Sequence, residues 1–367
     1  LSIRKTKKFT RKAQEEQGRR EMAANTTLFL IEQMESGQVL TRAGAEAVME
    51  ELLGGRMETP EIVRFLLALN ARPILVEELA GFAVVMRRHA AEVFTEGETR
   101  PENMIDTCGT GGDGFDAFNI STAAAIVAAA GGARVAKHGN RAASSRSGSA
   151  DVLEALGVRI DVPFARVGKG IRELGIGFLF AQAAHTAARH AAPARKQIGT
   201  RTVFNLLGPL TNPAGAEAQV LGVFSADAID LVAATLAELG VRRAMVVHGA
   251  GGLDEISLAG ETLVAEVHRG EIRRYSLTPE DFGVARAPLE AIRGGVPGEN
   301  AAIIRGIFGG ECGARCDIVV VNAAAALVAS GVAGDFREAA EVARTILVSG
   351  AAAEKLAELQ RFTNDGD

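Results

Sequence analysis

The chain has 367 residues, of which 47% are hydrophobic and 23% charged, with a net charge of −5, no Trp and one Tyr. That length exceeds one ordinary core and suggests two domains of a globular protein. The acidic balance and the scarcity of aromatics argue against a nucleic-acid partner, no apolar run is long enough to span a bilayer, and Cys108, Cys312 and Cys316 make neither a disulfide framework nor a zinc site, so a cytoplasmic protein with reduced thiols is expected.

Residues 1–21 are rich in Lys and Arg and lack periodicity. They are expected to be a disordered basic tail, or sequence upstream of a start near Met22. From Thr26 to about Phe94 the apolar spacing is helical, with start signals at Thr41, Thr59-Pro60-Glu61 and Pro73, which predicts a small all-helical lobe over 22–97. At Thr99-Arg-Pro101 the pattern changes. Strand-like runs at Met104 to Asp106, Ala133 to Ala136, Gly177 to Ala181, Gln219 to Phe224, Ala244 to His248 and Asp317 to Val321 then alternate with Ala-rich helices. The fold class is therefore α/β: a larger lobe over 98–367 with a central mixed sheet covered by helices. Part of 185–213, punctuated by Pro193, Pro209 and Pro213, is expected to join the helical lobe.

The chemistry concentrates after the first strand. Asp106-Thr-Cys-Gly-Thr-Gly-Gly-Asp113-Gly is followed by Asn119-Ile-Ser-Thr122, by Lys137-His-Gly-Asn-Arg141 and by a serine-rich turn ending at Ser149-Ala-Asp151. Glycines let backbone amides approach an anion, a helix start offers unpaired amides, and Lys and Arg add full charge; together they describe a site for a phosphorylated ligand. Gly109 to Gly114 also matches G-x-G-x-x-G, yet 117–150 contains no acid to hold a ribose as a dinucleotide fold requires. Asp113 needs a ribose diol, a metal ion or its own turn as partner. Farther on, Asp254-Glu255 follows a strand end, where adjacent carboxylates suit Mg²⁺ or a helix start equally.

Taken in order, these segments, with Arg201-Thr-Val-Phe-Asn through Pro213 and His248 through Glu255, resemble the anthranilate phosphoribosyltransferase family, over about Thr26 to Leu359. The resemblance implies transfer of the phosphoribosyl group from 5-phosphoribosyl-1-pyrophosphate to anthranilate, with Mg²⁺ as cofactor, a cleft between the lobes and a homodimer through the helical lobe. It implies donor contacts at Gly109, Gly112, Asp113, Ala117, Asn119, Ile120, Ser121 and Thr122. Lys137, His138, Gly139, Asn140, Arg141, Ala142, Ala143, Ser144, Ser145 and Ser149 continue that donor set. Anthranilate would meet Gly109, Asn140 and Arg195, and the metal Ser121, Asp254 and Glu255. His138 is at most a neighbour of the acceptor, and no general base is assigned. Ala117 departs from the family's usual Thr. A pyrimidine nucleoside phosphorylase would resemble this loop but carry Lys and His where Thr107 and Cys108 stand, and a non-catalytic nucleic-acid-binding relative is opposed by the charge balance.

Overall fold

In a computed structural model the chain is described over residues 25–95, 97–112, 114–142 and 145–365; the expected tail at 1–21, Met22, Asp113, Ala143 and Ser144 lie outside the described residues. Helix α1 (25–35) is followed by α2 (Arg42–Leu53), α3 (Thr59–Asn70) and α4 (Val76–Arg88). Thr41 caps α2 by accepting the Gly44 amide at 3.2 Å. Pro60 occupies the first turn of α3, and Glu61 folds back onto the Glu58 amide at 2.8 Å. Glu78 takes the Leu75 amide at the start of α4 and, although buried, also accepts from Leu40 and Arg72. Burial pushes its pKa up, but Arg72 and the two amides outweigh it and hold the carboxyl below its ordinary value.

Strands and helices then alternate: β1 (Met104–Gly109), α5 (Ile120–Ala130), β2 (Arg134–Gly139), α6 (Ser149–Ala155), α7 (Phe164–Glu173), β3 (Ile176–Phe180) and the short α8 (Ala181–Ala184). Helices α9 (Ala192–Ile198) and α10 (Phe204–Leu210) interrupt the alternation before β4 (Ala218–Gly222), α11 (Ala228–Glu238), β5 (Arg243–Gly249), β6 (Thr262–His268) and β7 (Glu271–Leu277). Helices α12 (Pro297–Phe308), α13 (Ala314–Ser330), α14 (Phe336–Val348) and α15 (Ala351–Asn364) end the described chain.

The contacts divide the chain into two compact units, one joining the described residues up to His89 with Thr186–Leu207, the other joining Ala90–His185 with Gly208 onward. The first boundary falls before 97 because Val93 is buried with Met104, Ala136 and Val167 of the sheet unit. Within 185–213, residues from Gly208 group with the sheet, where Asn212 donates to Asp106 and to the Ala136 carbonyl.

The sheet runs β3-β2-β1-β4-β5-β6-β7; the first five strands are parallel, and β6 and β7 add antiparallel. Alanines of α5 and α13 are buried together in one cluster, because side chains this small let two helices and a sheet approach closely. Asp317 to Val321 corrects one expectation: it is helical, inside α13. The fully buried apolar run Ile318 to Val321 has no period to read, and it continues into Ala323 to Ala326 as one helix bounded by Gly313 and Gly331. The β6–β7 hairpin is an addition to the strands expected from sequence. Its signals are the alternation within β6 and the Arg269-Gly270 turn, where φ is 52° and 88°. Among the described residues no helix is long and apolar enough to cross a membrane.

Candidate active site

β1 and β4 are parallel neighbours whose next strands lie on opposite sides: β1 leads through α5 to β2, and β4 leads through α11 to β5. At such a reversal the crossover connections diverge and open a crevice beyond the carboxyl ends of the strands. The crevice begins at Gly109 and Gly222, the last residues of β1 and β4, which face each other in register. Neither has room for a side chain: a Cβ on Gly109 would overlap the Asp254 carboxylate, and one on Gly222 the Asp254 carbonyl. At the end of β5, a Cβ on Gly249 would strike the Glu255 carbonyl. These glycines admit the segment 250–256 across the strand ends.

That segment delivers two carboxylates. Asp254 Oδ2 accepts the Gly111 amide at 2.8 Å, and Glu255 Oε1 accepts the Ser121 amide at 3.1 Å. Buried Asn322 of α13 pins the segment, accepting from the Ile256 amide at 3.0 Å and donating to its carbonyl at 3.1 Å. The glycine loop opposite is held where the Thr110 amide meets the Gly222 carbonyl at 2.9 Å. Gly111, Gly112 and Gly114 then take φ of 65°, 76° and 76°, a left-handed path that glycine follows without strain.

The other wall is the start of α5 backed by β2. Because β2 continues to Gly139, Lys137 and His138 lie within the strand and not in a loop after it, a correction to the motif reading. Lys137 is 3% exposed, and its Nζ donates to the Thr107 carbonyl at 2.6 Å and to Ser121 Oγ at 3.3 Å. Burial pulls its pKa down, while Asp106, Cys108 and Glu255 pull it back up. Its partner charge, Asp106, is buried and accepts the His138 amide at 3.0 Å and Asn212 Nδ2 at 2.9 Å. Burial raises the Asp106 pKa to about 6, against the opposing effect of Lys137 and these hydrogen bonds.

His138 stands edge-on to His185, ring centroids 5.1 Å apart. Burial lowers the pKa of His138 to about 3 and that of His185 to about 4, so both are neutral above about pH 5, and the Nε2 of each is buried with no hydrogen-bond partner. His138 thus stands in this site as a neutral ring. Arg141, by contrast, lies on the surface and bridges Asp151 and Glu154 at 3.0 Å and 2.5 Å. Asp151 also takes the Ala142 and Gly148 amides, closing the serine turn, and Gly139 leaves room for Ser149 to pack against it.

The structure thus gathers Gly109, the glycine loop, Asn119 to Thr122, Lys137, His138, Asp254 and Glu255 at one end of the sheet. Ile120 and Thr122 are buried, the Thr122 hydroxyl without a hydrogen-bond partner, and Ala117 is engaged through its backbone in a bridge with Arg293. Asn140 accepts the Arg141 amide through Oδ1, and Ser145 lies against the Ser147 carbonyl. Arg195 belongs to the helical unit, where its guanidinium lies over Phe204 at 5.3 Å. Among the described residues no three of His, Cys, Asp and Glu cluster as a metal site. A cation here would draw on Ser121, Asp254 and Glu255, an all-oxygen set suited to a hard divalent ion completed by ligand oxygens and water. Sequence reasoning gave no role of their own to Asp106, His185, Gly222, Gly249 and Asn322, whose parts depend on burial or on distant segments that residue type does not disclose.

A two-part glycosyl transferase is what the fold and site define: the helical bundle domain of the glycosyl transferase family matches residues 30–90, and its a/b domain matches residues 101–353. An anthranilate phosphoribosyltransferase of Pelotomaculum thermopropionicum is 50% identical over 335 residues, covering 91% of this chain and 96% of its own length. One from Methanosarcina acetivorans is 49% identical, covering 91% and 89%. The crystal structure of the Thermus thermophilus enzyme superposes with a TM-score of 0.86 at 47% identity, covering 92% of this chain and 99% of that one. The Saccharomyces cerevisiae enzyme in complex with PRPP and Mg gives 0.84 at 28% identity, covering 92% and 98%. The chain belongs to the anthranilate phosphoribosyltransferase family.

Proposed function

We infer that this chain transfers the phosphoribosyl group of 5-phosphoribosyl-1-pyrophosphate to the amine of anthranilate, giving N-(5-phosphoribosyl)anthranilate and pyrophosphate, a step of tryptophan biosynthesis. The observation that carries this reading is the meeting of the glycine loop, the start of α5 and the Asp254-Glu255 pair at the reversal of strand order. In the reaction the amine nitrogen bonds to C1 of the ribose as the C1–O bond to pyrophosphate breaks, and one amine proton passes to the pyrophosphate or to water.

The donor phosphates would lie on Gly109 to Gly112, the first amides of α5 and the turn through Ser145 and Ser149. Mg²⁺ fits Ser121, Asp254 and Glu255, since Ser121 and Glu255 are already in contact and Asp254 is one loop amide away. When bound it neutralises charge developing on the leaving pyrophosphate. Buried Lys137 donates to the Ser121 hydroxyl and would add positive potential beneath the phosphates. No nucleophilic side chain is required, because pyrophosphate is a leaving group already and orientation of the amine supplies the rest. The acceptor would meet Gly109, Asn140 and Arg195, whose guanidinium can face a carboxylate. Neutral His138 offers the acceptor a ring without competing charge.

A homodimer through the helical unit is supported by Phe29, Val39, Leu67 and Leu75, large apolar side chains exposed there. The unpaired cysteines support a reducing, cytoplasmic setting.

The test is to incubate the purified chain with donor, Mg²⁺ and anthranilate and follow the loss of anthranilate fluorescence. Turnover is expected; none, or phosphorolysis of thymidine instead, rejects the assignment. Replacing Asp254 and Glu255 by Ala should shift the Mg²⁺ titration upward at least about tenfold, and an unchanged titration would remove them from the metal site.

A further inference from the structure

Asn119 occupies the N-cap position of α5, yet its side chain does not cap the helix. The carboxamide is turned elsewhere. Nδ2 donates to the Ser147 carbonyl at 3.0 Å, and Oδ1 accepts both the Ser147 hydroxyl at 3.1 Å and Nδ2 of Asn300 at 2.9 Å. Asn300, near the start of α12, is 1% exposed, and its own Oδ1 is fixed by the Gly295 amide at 2.7 Å. The segment 292–295 runs beside 116–118: the Phe118 amide meets the Ile292 carbonyl at 3.3 Å, and the Gly294 amide meets the Asp116 carbonyl at 2.7 Å. Asn300 is thus held by the same segment that braces the approach to α5.

An Asn at an N-cap ordinarily accepts from the second or third amide of its helix. Here the side-chain acceptor of Asn119, Oδ1, is committed to two other donors. The amide of Ser121, second in α5, is met instead by Glu255 from another segment. We propose that Asn300 is a positioning residue for donor binding: it holds Asn119 against the serine turn and so prevents α5 from capping itself, keeping the helix start for groups that arrive from outside. Without Asn300, Asn119 can rotate onto its own helix and compete with an incoming phosphate. The same contact joins the α5 start to the 145–149 turn, so that two parts of the donor site hold one spacing. This inference rests on the phosphoribosyl-transfer reading of the site.

Asn300→Asp tests it with nearly unchanged volume, because a carboxylate still accepts the Gly295 amide but cannot donate to Asn119. The KM for 5-phosphoribosyl-1-pyrophosphate should rise about five- to tenfold, with the KM for anthranilate within about twofold. Hydrogen exchange of the Thr122 amide in the ligand-free variant should slow as Asn119 caps it, the Ser121 amide being already held by Glu255. In an Asn119→Gly background, where no side chain can cap, Asn300→Asp should add little to the donor KM. Equal rises in both KM values, unchanged exchange, or full additivity in the double variant would each overturn the proposal. Wild-type protein without turnover would instead reject the functional reading itself.

Discussion

The two walls of the crevice are built on opposite principles. The acidic wall, 250–256, is placed by missing side chains: Gly109, Gly222 and Gly249 let a loop lie where any Cβ would collide with it. The α5 wall is placed by added ones, with Lys137, Asp106 and Asn212 buried beneath it and bonded to backbone and side chain alike. Space alone has no pH dependence, whereas buried charge does. The comparison implies that the acidic wall fails on addition of a methyl group and the α5 wall on removal of a polar one.

Gly222→Ala is the strongest way to break the acidic wall. The new methyl must displace the Asp254 backbone, not the tip of a flexible side chain, so the cost should reach about 3 kcal/mol of stability. Displacing both carboxylates by about 1 Å should lower activity about 100-fold. Urea unfolding and initial rates check both; a variant with native stability and rate would mean that the segment is not set by this glycine.

The α5 wall is sharpened by pH. The Asp106 pKa is raised to about 6 from an ordinary 3.8, so the protonated acid is the form the folded protein favours. Its contribution is fully present below about pH 4 and is lost as pH rises through about 6. Measured against Asp106→Asn, wild-type stability should fall between those limits by an amount on the order of 2 to 3 kcal/mol. A constant difference across that window would show that Asp106 does not titrate there. Gly222→Ala, measured in the same way, should show no such slope.

Lys137→Met should cost about 2 kcal/mol, chiefly by leaving the buried Thr107 carbonyl without its donor. With the Ser121 hydroxyl released, the Mg²⁺ requirement should rise about tenfold. Calorimetric donor binding and a metal titration test this. If only stability changed, Lys137 would be a core group with no part in the site.

The same contrast explains what the sequence disclosed. The glycine loop, Asn119 to Thr122 and Asp254-Glu255 are legible because backbone amides, a helix start and paired carboxylates announce themselves by residue type. Gly222 and Gly249 are not, since their role depends on a segment distant in the chain passing over them. Burial is equally invisible at Lys137, whose charge reads like that of an exposed loop. In the fold, most strands flanked by turns stand out, but Asp317 to Val321 reads falsely as a strand because Ile318 to Val321 are buried on every side and have no period, and the β6–β7 hairpin goes unread in spite of its Arg269-Gly270 turn because β7 is largely exposed and charged.

Arg141 is the control for the α5 wall, because it follows Lys137 closely in the chain and carries the same charge in a different environment. Its side chain is 42% exposed and bridges carboxylates that are themselves partly in water, so solvent screens the pairs. Arg141→Ala should therefore change stability by less than about 1 kcal/mol. Any effect on donor KM should come through the serine turn, where Asp151 keeps the Ala142 and Gly148 amides without Arg141. Thermal unfolding and donor KM at two salt concentrations separate the cases. A loss comparable to that of Lys137→Met, persisting at high salt, would show that the exposed cation also contacts the ligand and that the distinction between buried support and surface bridge does not hold on this wall.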